Sequence, residues 1–316
     1  MGLIMKDLER TGRDLELSDE QWEIEYQSRK AWIDRTRSND LWLNKMFNKV
    51  GILMTGHQAN RPYMKASVDS HSKLGFWLTL AYDNYVDPTW ETIDHNNFMP
   101  SKDVLDKVDL FLTPHHQVWG GCLFPYAQLV YWGGLAMQNF EYIYCVNSDF
   151  VLEKPEGFPQ LFEMLGDSDI MTCGPDRDDP PAANTAGFIV RSDAFKAIVK
   201  HLENHLVPWE NYEKHTQRIG NMEGRLGWAI KDLGLKQVRV NPPLEDMLKV
   251  PGHGTWFNTV GFRHIHSEHN YAYRNKGIPP PLEYLDKRHM GGEYELIKTY
   301  WETKDPKVLE EWWAKE

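Results

Sequence analysis

The sequence has few cysteines and no long apolar run, and each of these absences excludes a class of protein. The 316 residues contain only three cysteines, Cys122, Cys145 and Cys173. Their number is odd and they lack the spacing of a zinc site, which predicts a reducing compartment. No stretch of 18 apolar residues occurs, which excludes an ordinary transmembrane helix. The first residues do not open the apolar segment of a secretory signal, so we expect a soluble, cytoplasmic protein.

The sequence also has fewer basic than acidic residues. Acidic residues outnumber basic ones by 46 to 35, which gives a net charge of −11. This balance disfavours broad electrostatic binding of nucleic acid, although a local basic groove remains compatible with it. The composition is otherwise that of a globular protein, with 41% hydrophobic and 26% charged residues. The length fits two domains or one large α/β domain.

The chain divides into three stretches. Residues 1–46 predict a helical N-terminal extension, in which Ser18–Gln21 has the pattern of a capping box. Residues 47–270 alternate short apolar runs with helical segments. Residues 271–316 begin with a proline-rich break and predict a helical C-terminal extension, with helices over 293–302 and 306–315.

The central stretch predicts an α/β fold with a mixed, mainly parallel sheet flanked by helices. Its strands are continuously apolar, which indicates that both faces of the sheet are covered. Helices are expected over 126–139 and 223–233. The predicted strands are 50–54, 76–81, 108–112, 142–146, 169–172, 187–190 and 237–240.

Polar residues follow three of these strands, where ligands bind in open α/β sheets. Thr55, His57 and Arg61 follow the first strand, and Asp83 follows the second. Asn147-Ser148-Asp149 follows the fourth. If the strands are parallel, these side chains converge at one edge of the sheet, as a nucleotide-phosphate site requires.

Asn147 and Asp149 are the sharpest feature of this set. Side chains at i and i+2 face the same way in an extended segment, so two oxygen ligands would lie together. Mg²⁺ or Mn²⁺ takes such ligands and completes its shell with water and substrate phosphates. The alternative is an Asx turn that ends the strand, which is common where Asn, Ser and Asp cluster.

The order of these segments resembles the nucleotide-sugar half of the GT-A fold glycosyltransferases, a Rossmann-type superfamily, over about residues 47–270. The resemblance implies that Thr55 and Arg61-Pro62 lie near the nucleotide and that Asp83 meets the base or ribose. It also implies an Asp-x-Asp metal motif on the diphosphate at 147–149, where Asn147 replaces the first Asp. The implied function is a metal-dependent glycosyltransferase that moves a sugar from a nucleoside-diphosphate sugar, with UDP-sugar favoured, to an acceptor hydroxyl.

Two further segments extend the resemblance. Asn184 and Gly187 are similar to the strand entry that lines the acceptor and donor-sugar side, where glycine lets substrate approach the backbone. His264 and His266 stand where a C-terminal histidine returns to the metal, and in an extended segment they would face together. A zinc site or a surface histidine cluster are the alternatives.

Glu223 opens the helix predicted over 223–233. The resemblance implies that an acid in this place is the general base of an inverting enzyme, beside the catalytic metal ligand Asp149. The alternative is that Glu223 stabilises the helix dipole. The residues leave inversion and retention of configuration open.

Two other classes of function remain. A nucleotidyltransferase or pyrophosphorylase shares the α/β nucleotide site, but such enzymes carry an early glycine-rich loop with Arg and Lys, and the segment 56–62 has one Gly and one Arg. A non-catalytic glycan-binding or assembly protein is the third class. The acceptor is equally open among a glycan, a protein, a metabolite and a modified DNA base, the last of which requires a basic channel.

Overall fold

The computed structural model describes the core of the chain in separate ranges. These are residues 18–20, 23, 49–56, 60–82, 100–112, 140–155, 158–173, 177–178, 181–183, 187–204, 222–240 and 261–315. Within the predicted N-terminal extension, Asp19, Glu20 and Glu23 are helical. The helix predicted over 126–139 lies outside the described residues.

Strands and helices alternate through the centre of the chain, and helices follow. The strands are β1 (Val50–Gly56), β2 (Trp77–Tyr82), β3 (Leu110–Leu112), β4 (Tyr142–Asn147), β5 (Phe150–Leu152), β6 (Ile170–Cys173), β7 (Arg177–Asp178), β8 (Pro181–Ala182), β9 (Gly187–Arg191), β10 (Gln237–Val240) and β11 (Phe262–His264). The helices are α1 (Arg61–Ser72), α2 (Lys102–Leu105), α3 (Phe158–Leu165), α4 (Ser192–Asn204), α5 (Met222–Asp232), α6 (Ile265–Arg274), α7 (Lys287–Met290), α8 (Gly292–Thr303) and α9 (Pro306–Trp313), with a 3₁₀ turn at Leu282–Tyr284.

The main sheet has seven described strands in the order β10-β6-β9-β4-β1-β2-β3. Strand β9 runs antiparallel to both of its neighbours, and the other adjacent pairs are parallel. This confirms the prediction of a mixed, mainly parallel sheet. The chain proceeds outwards from β1 through β2 and β3, and then returns to place β4 on the other side of β1. The order therefore reverses between β1 and β4, which is the switch point where open α/β sheets bind ligands.

Helices cover both faces of this sheet because alternate strand residues point to opposite sides. On one face, Ile52 and Met54 of β1 share a core with α1 and α3. On the other, Leu53 shares a core with α4 and α5. The three strand residues are fully buried, which accounts for the absence of a polar alternation in the strand sequence.

The C-terminal helices form a third core together with elements of the α/β unit. Trp312 of α9 is fully buried and lies in a cluster with Tyr63 of α1, Val151 of β5 and Ile265 of α6. Helix α6 runs through residue 270, where the sequence suggested a boundary between 47–270 and 271–316. Those domain limits stay a prediction. None of the helices in the described ranges has both the length and the apolar character needed to cross a bilayer.

Two helix ends have the residue types that favour a helix boundary. Gly234 has φ 63° and ends α5 in the left-handed conformation that glycine adopts freely. Asp305 caps α9, since its side chain accepts a hydrogen bond from the Lys307 amide at 3.0 Å, and Pro306 begins the helix.

We predict that buried His71 makes stability dependent on pH. Its Nδ1–H donates to the Ser67 carbonyl at 2.9 Å, and its ring stacks against Tyr144. Burial lowers the pKa of His71 from 6.5 to about 4. Between these two pKa values, the unfolded chain binds a proton on His71 and the folded chain does not. The free energy of unfolding therefore falls as the pH drops from 6.5 towards 4, by about 2–3 kcal/mol at pH 4.5.

Urea unfolding at pH 7 and pH 4.5 measures this loss. The His71→Leu variant is expected to lose less stability over the same interval, because its side chain does not titrate. Equal losses in the two proteins would contradict the prediction.

A second prediction concerns the end of β1. A Cβ atom on Gly56 would collide with Ser148 Oγ and lie 3.1 Å from Met64 Cε. We expect Gly56→Ala to reduce the free energy of unfolding by about 1–3 kcal/mol, the usual cost of overpacking a core. Adding Ser148→Ala removes the nearest colliding atom and should restore part of the loss. A Gly56→Ala variant as stable as the wild type would refute this.

Candidate functional site

The site lies at the switch point, where β1 and β4 end side by side. Thr55 and Asn147 are register partners, and the Thr55 hydroxyl donates to Asn147 Oδ1 at 3.2 Å. Gly187 at the start of β9 pairs with Val146, so the antiparallel strand brings it to the same edge. Three of the sequence-predicted donor residues, Thr55, Asn147 and Gly187, therefore lie together.

Asp149 follows β4 in a turn, and its side chain is only 2% exposed. The turn is anchored because the Asp149 carbonyl accepts the Ile265 amide at 3.0 Å. On the carboxylate, Oδ2 accepts a hydrogen bond from Asn60 Nδ2 at 2.6 Å. The other oxygen, Oδ1, is buried without a hydrogen-bond partner in the described part of the chain.

Two imidazoles converge on the same carboxylate oxygen. His264 Nε2 lies 3.2 Å and His266 Nδ1 lies 3.4 Å from Asp149 Oδ2. They do not share one extended segment: His264 ends β11, whereas His266 stands in the first turn of α6. The change from strand to helix at Ile265 is therefore what turns both rings towards Asp149.

Each ring rests on an aromatic neighbour. Phe150, the register partner of His264, stacks on its ring with centroids 4.2 Å apart. The Ser267 hydroxyl lies 2.8 Å from His264 Nδ1. Tyr63 of α1 stacks on His266, with centroids 5.4 Å apart and planes inclined by 24°.

The charge of Asp149 is maintained by these contacts. Burial works to raise the pKa of Asp149, but the charges and hydrogen bonds of His264 and His266 outweigh it and hold that pKa far below its usual range. Asp149 is therefore a buried anion at all ordinary pH values. Such a group is expected to pair with a cation.

A positively charged side chain, that of Arg61, stands at the same edge. Arg61 begins α1, directly after Asn60, and its Nε donates to the hydroxyl of Tyr82 at the end of β2. The amino end of a helix carries a partial positive charge, to which the guanidinium adds. This edge of β1 and β2 is therefore suited to an anion such as a phosphate.

The first turn of α5 carries Glu223. A short connection joins the end of α5 to the start of β10, which is parallel to β6. The helix therefore ends near the amino edge of the sheet and begins towards the carboxyl edge, where Asp149 lies. The position of the Glu223 side chain is not described. His57, Asp83 and Asn184 lie outside the described residues, and their roles stay predictions.

The donor atoms around Asp149 are of the chemical types that bind a divalent cation. They comprise a buried carboxylate with one unpaired oxygen and two imidazole nitrogens, a mixed set that Mn²⁺ accepts more readily than Mg²⁺. In the described ranges, no group of three or more His, Cys, Asp or Glu side chains is already arranged to hold a metal ion. Instead, the imidazoles and the Asn60 amide all meet at Oδ2.

Sequence reasoning missed three residues of the site: Asn60, Tyr63 and Tyr82. A signal existed for Asn60, since Asn stands directly before the Arg-Pro that begins α1, the usual place of a helix cap. Its side chain bonds to Asp149 instead of capping the helix. Tyr63 and Tyr82 carry no comparable signal in the sequence, because contacts between α1 and other elements bring them to the site.

Comparisons with known proteins give similarities in structure. No protein-family model and no curated protein matches the sequence. The chain is similar to a protein of Desulfovibrio desulfuricans G20 assigned as a nucleotide-diphospho-sugar transferase, with 12% identity over 61% of this chain and 79% of that chain and a TM-score of 0.35.

Two further solved structures are similar to a comparable extent. For the 4-diphosphocytidyl-2C-methyl-D-erythritol synthase of Anaerococcus prevotii DSM 20548, the identity is 11% over 63% of this chain and 90% of that chain, with a TM-score of 0.35. For the bifunctional IspDF of Campylobacter jejuni, it is 12% over 62% of this chain and 50% of that chain, with a TM-score of 0.36. At these identities and TM-scores, the assignment of a function depends on the geometry of the site.

Proposed function

We propose that the protein is a glycosyltransferase that transfers a sugar from a nucleoside-diphosphate sugar to an acceptor hydroxyl with the help of Mn²⁺ or Mg²⁺. The observation that carries the proposal is Asp149: a buried, ionised carboxylate at the switch point with two imidazoles directed at it. Buried ionised groups whose pKa is strongly shifted cluster at binding and catalytic sites.

The diphosphate of the donor has a natural place on this edge. Arg61 and the amino end of α1 supply positive charge beside the end of β1. The Tyr82 hydroxyl accepts a hydrogen bond from the Arg61 guanidinium, so this positive charge is already oriented when a ligand binds. A preoriented cation stabilises charge that develops on a leaving group without reorganisation.

Asp149, His264 and His266 are the proposed ligands of the cation, with Asn147 close by at the end of β4. When bound, the cation would neutralise the negative charge that builds on the departing nucleoside diphosphate. Asn60 fixes the carboxylate through Oδ2 and leaves Oδ1 without a protein partner among the described residues. Oδ1 is thus the atom offered to a ligand.

The acceptor side of the site is proposed to include Gly187 and Glu223. Gly187 stands at the start of β9 beside Val146, and a residue without a side chain allows the closest approach of a substrate to the backbone. Glu223 would remove the proton of the attacking hydroxyl in an inverting reaction. A uridine diphosphate sugar is the proposed donor.

We predict that Asp149→Asn abolishes donor binding and turnover. The amide keeps the size of the side chain but removes the charge that the cation and both imidazoles face. Hydrolysis or transfer from a UDP-sugar with Mn²⁺ should fall by about 100-fold or more, the usual consequence of losing one electrostatic group in a site. The rise in Tm that donor and Mn²⁺ give to the wild type should also disappear.

Asp193→Asn is the matched control. Asp193 is fully exposed in the first turn of α4, directly after β9, whose carboxyl end lies at the opposite edge of the sheet. It should behave as the wild type. Full activity in Asp149→Asn would overturn the proposal.

The products decide between this proposal and its alternatives. A glycosyltransferase releases a nucleoside diphosphate, whereas a nucleotidyltransferase forming the sugar nucleotide releases pyrophosphate. A binding protein would raise its Tm with the donor and release neither. Phosphorus NMR of a reaction with UDP-sugar and Mn²⁺, and of one with nucleoside triphosphate and sugar phosphate, distinguishes the three.

A further inference from the structure

A chain of buried and partly buried polar contacts leads from the site into the C-terminal helices. The Tyr63 hydroxyl of α1 lies 2.6 Å from His269 Nδ1 on α6. His269 Nε2 lies 2.8 Å from Glu293 Oε1 in the first turn of α8. The same oxygen accepts a hydrogen bond from the Trp312 indole of α9 at 2.7 Å. We call Tyr63, His269, Glu293 and Trp312 the tyrosine support.

The ionised carboxylate of Glu293 determines the direction of the hydrogen bonds that it receives. Burial, aided by the negative charges of Glu293 and Asp149, raises the pKa of Tyr63, so the phenol keeps its proton. The pKa of Glu293 is lowered, since the hydrogen bond and charge of His269 outweigh its burial. Glu293 therefore only accepts, so His269 Nε2 and the Trp312 indole both donate to it, while the Tyr63 hydroxyl lies against His269 Nδ1.

The tyrosine support ends on a ring of the proposed cation site. Tyr63 stacks on His266, while its hydroxyl is held from behind by His269. His269 is in turn held flat against Trp312, with ring centroids 5.7 Å apart. The tyrosine support thus links helices α8 and α9 to the His266 ring through Tyr63.

The two imidazoles differ in how they are held. His264 has local support from Phe150, its register partner, and Ser267, three residues along the chain. The side chain of His266 is 31% exposed, and its described ring contacts are with Tyr63 and His264. Without Tyr63 held in place, His266 could adopt other rotamers, and the entropy lost on binding a cation would be greater.

We propose that the tyrosine support is a positioning system that holds the His266 ring towards Asp149, so that the C-terminal helices set the affinity of the site for a divalent cation. This inference rests on the proposed function. Residues that orient metal ligands from behind change metal affinity by about 10–100-fold when they are removed.

Glu293→Ala is the test, measured as Mn²⁺ affinity of the full chain by the EPR signal of free Mn²⁺. Glu293 is one-third exposed on the first turn of α8, so its truncation does not open a cavity in the core. The dissociation constant should rise by about 10–100-fold. Glu293→Gln keeps an oxygen that accepts both hydrogen bonds and should stay within a few-fold of the wild type.

Glu295→Ala is the matched control. It removes the same charge from the same turn of α8, but Glu295 pairs with exposed Lys287 and has no described contact with the tyrosine support. Its Mn²⁺ affinity should equal that of the wild type. An equal loss in Glu293→Gln, or in Glu295→Ala, would overturn the inference, because charge would then explain the effect.

Tyr63→Phe provides a second variant if Glu293→Ala does not fold, as judged by near-UV circular dichroism. It keeps the ring on His266 and removes only the hydroxyl that His269 holds, and we expect an affinity loss of about 10-fold. Wild-type affinity in the folded support variants would refute the positioning role and leave the proposed function standing. A wild-type chain that binds no Mn²⁺ would overturn both.

Discussion

The site depends on one buried negative charge. Asp149 is almost fully removed from water and stays ionised because two imidazoles and an amide face it. A buried carboxylate without such partners would take up a proton or destabilise the fold. The arrangement of β4, β5, β11 and α6 around this residue is therefore a structural requirement, and in the proposed function it is also the basis of the chemistry at this edge of the sheet.

Topology explains why the charge lies where it does. The chain passes outwards from β1 to β2 and β3 and returns to β4 on the other side of β1, so the strand order reverses between β1 and β4. Open α/β sheets bind ligands at such a switch point, and the residues that follow both strands border it. Gly56 lets Ser148 approach β1 closely, which brings the turn that carries Asp149 against the end of that strand.

The C-terminal helices share in this arrangement. Their core includes Tyr63 of α1 and Val151 of β5, so the elements that border the site are also the floor on which α8 and α9 pack. The hydrogen bonds that run from Trp312 through Glu293 and His269 to Tyr63 specify the orientation of these side chains in the interface. A predominantly apolar interface would hold the helices equally well, but it would not specify the orientation of the Tyr63 ring.

The sequence by itself determined the layered fold. Its apolar runs coincide with the strands to within one or two residues, because a strand covered on both faces must be continuously apolar. The Asp-Pro and Gly signals at the ends of α9 and α5 act locally and were equally readable. The residues after β1 and β4 were identifiable for the same reason, since a parallel sheet collects the ends of its strands at one edge.

Only the tertiary structure decided how the site is assembled. His264 and His266 lie more than 110 residues from Asp149 along the chain, and the turn from β11 into α6 that directs them at one oxygen has no local signature. Asn60 contacts that carboxylate directly and Tyr63 contacts it through His266, and the sequence pattern around them assigns neither residue to the site. Contacts of this range arise from the packing of α1 and α6 on the sheet, which the pattern of a single segment does not encode.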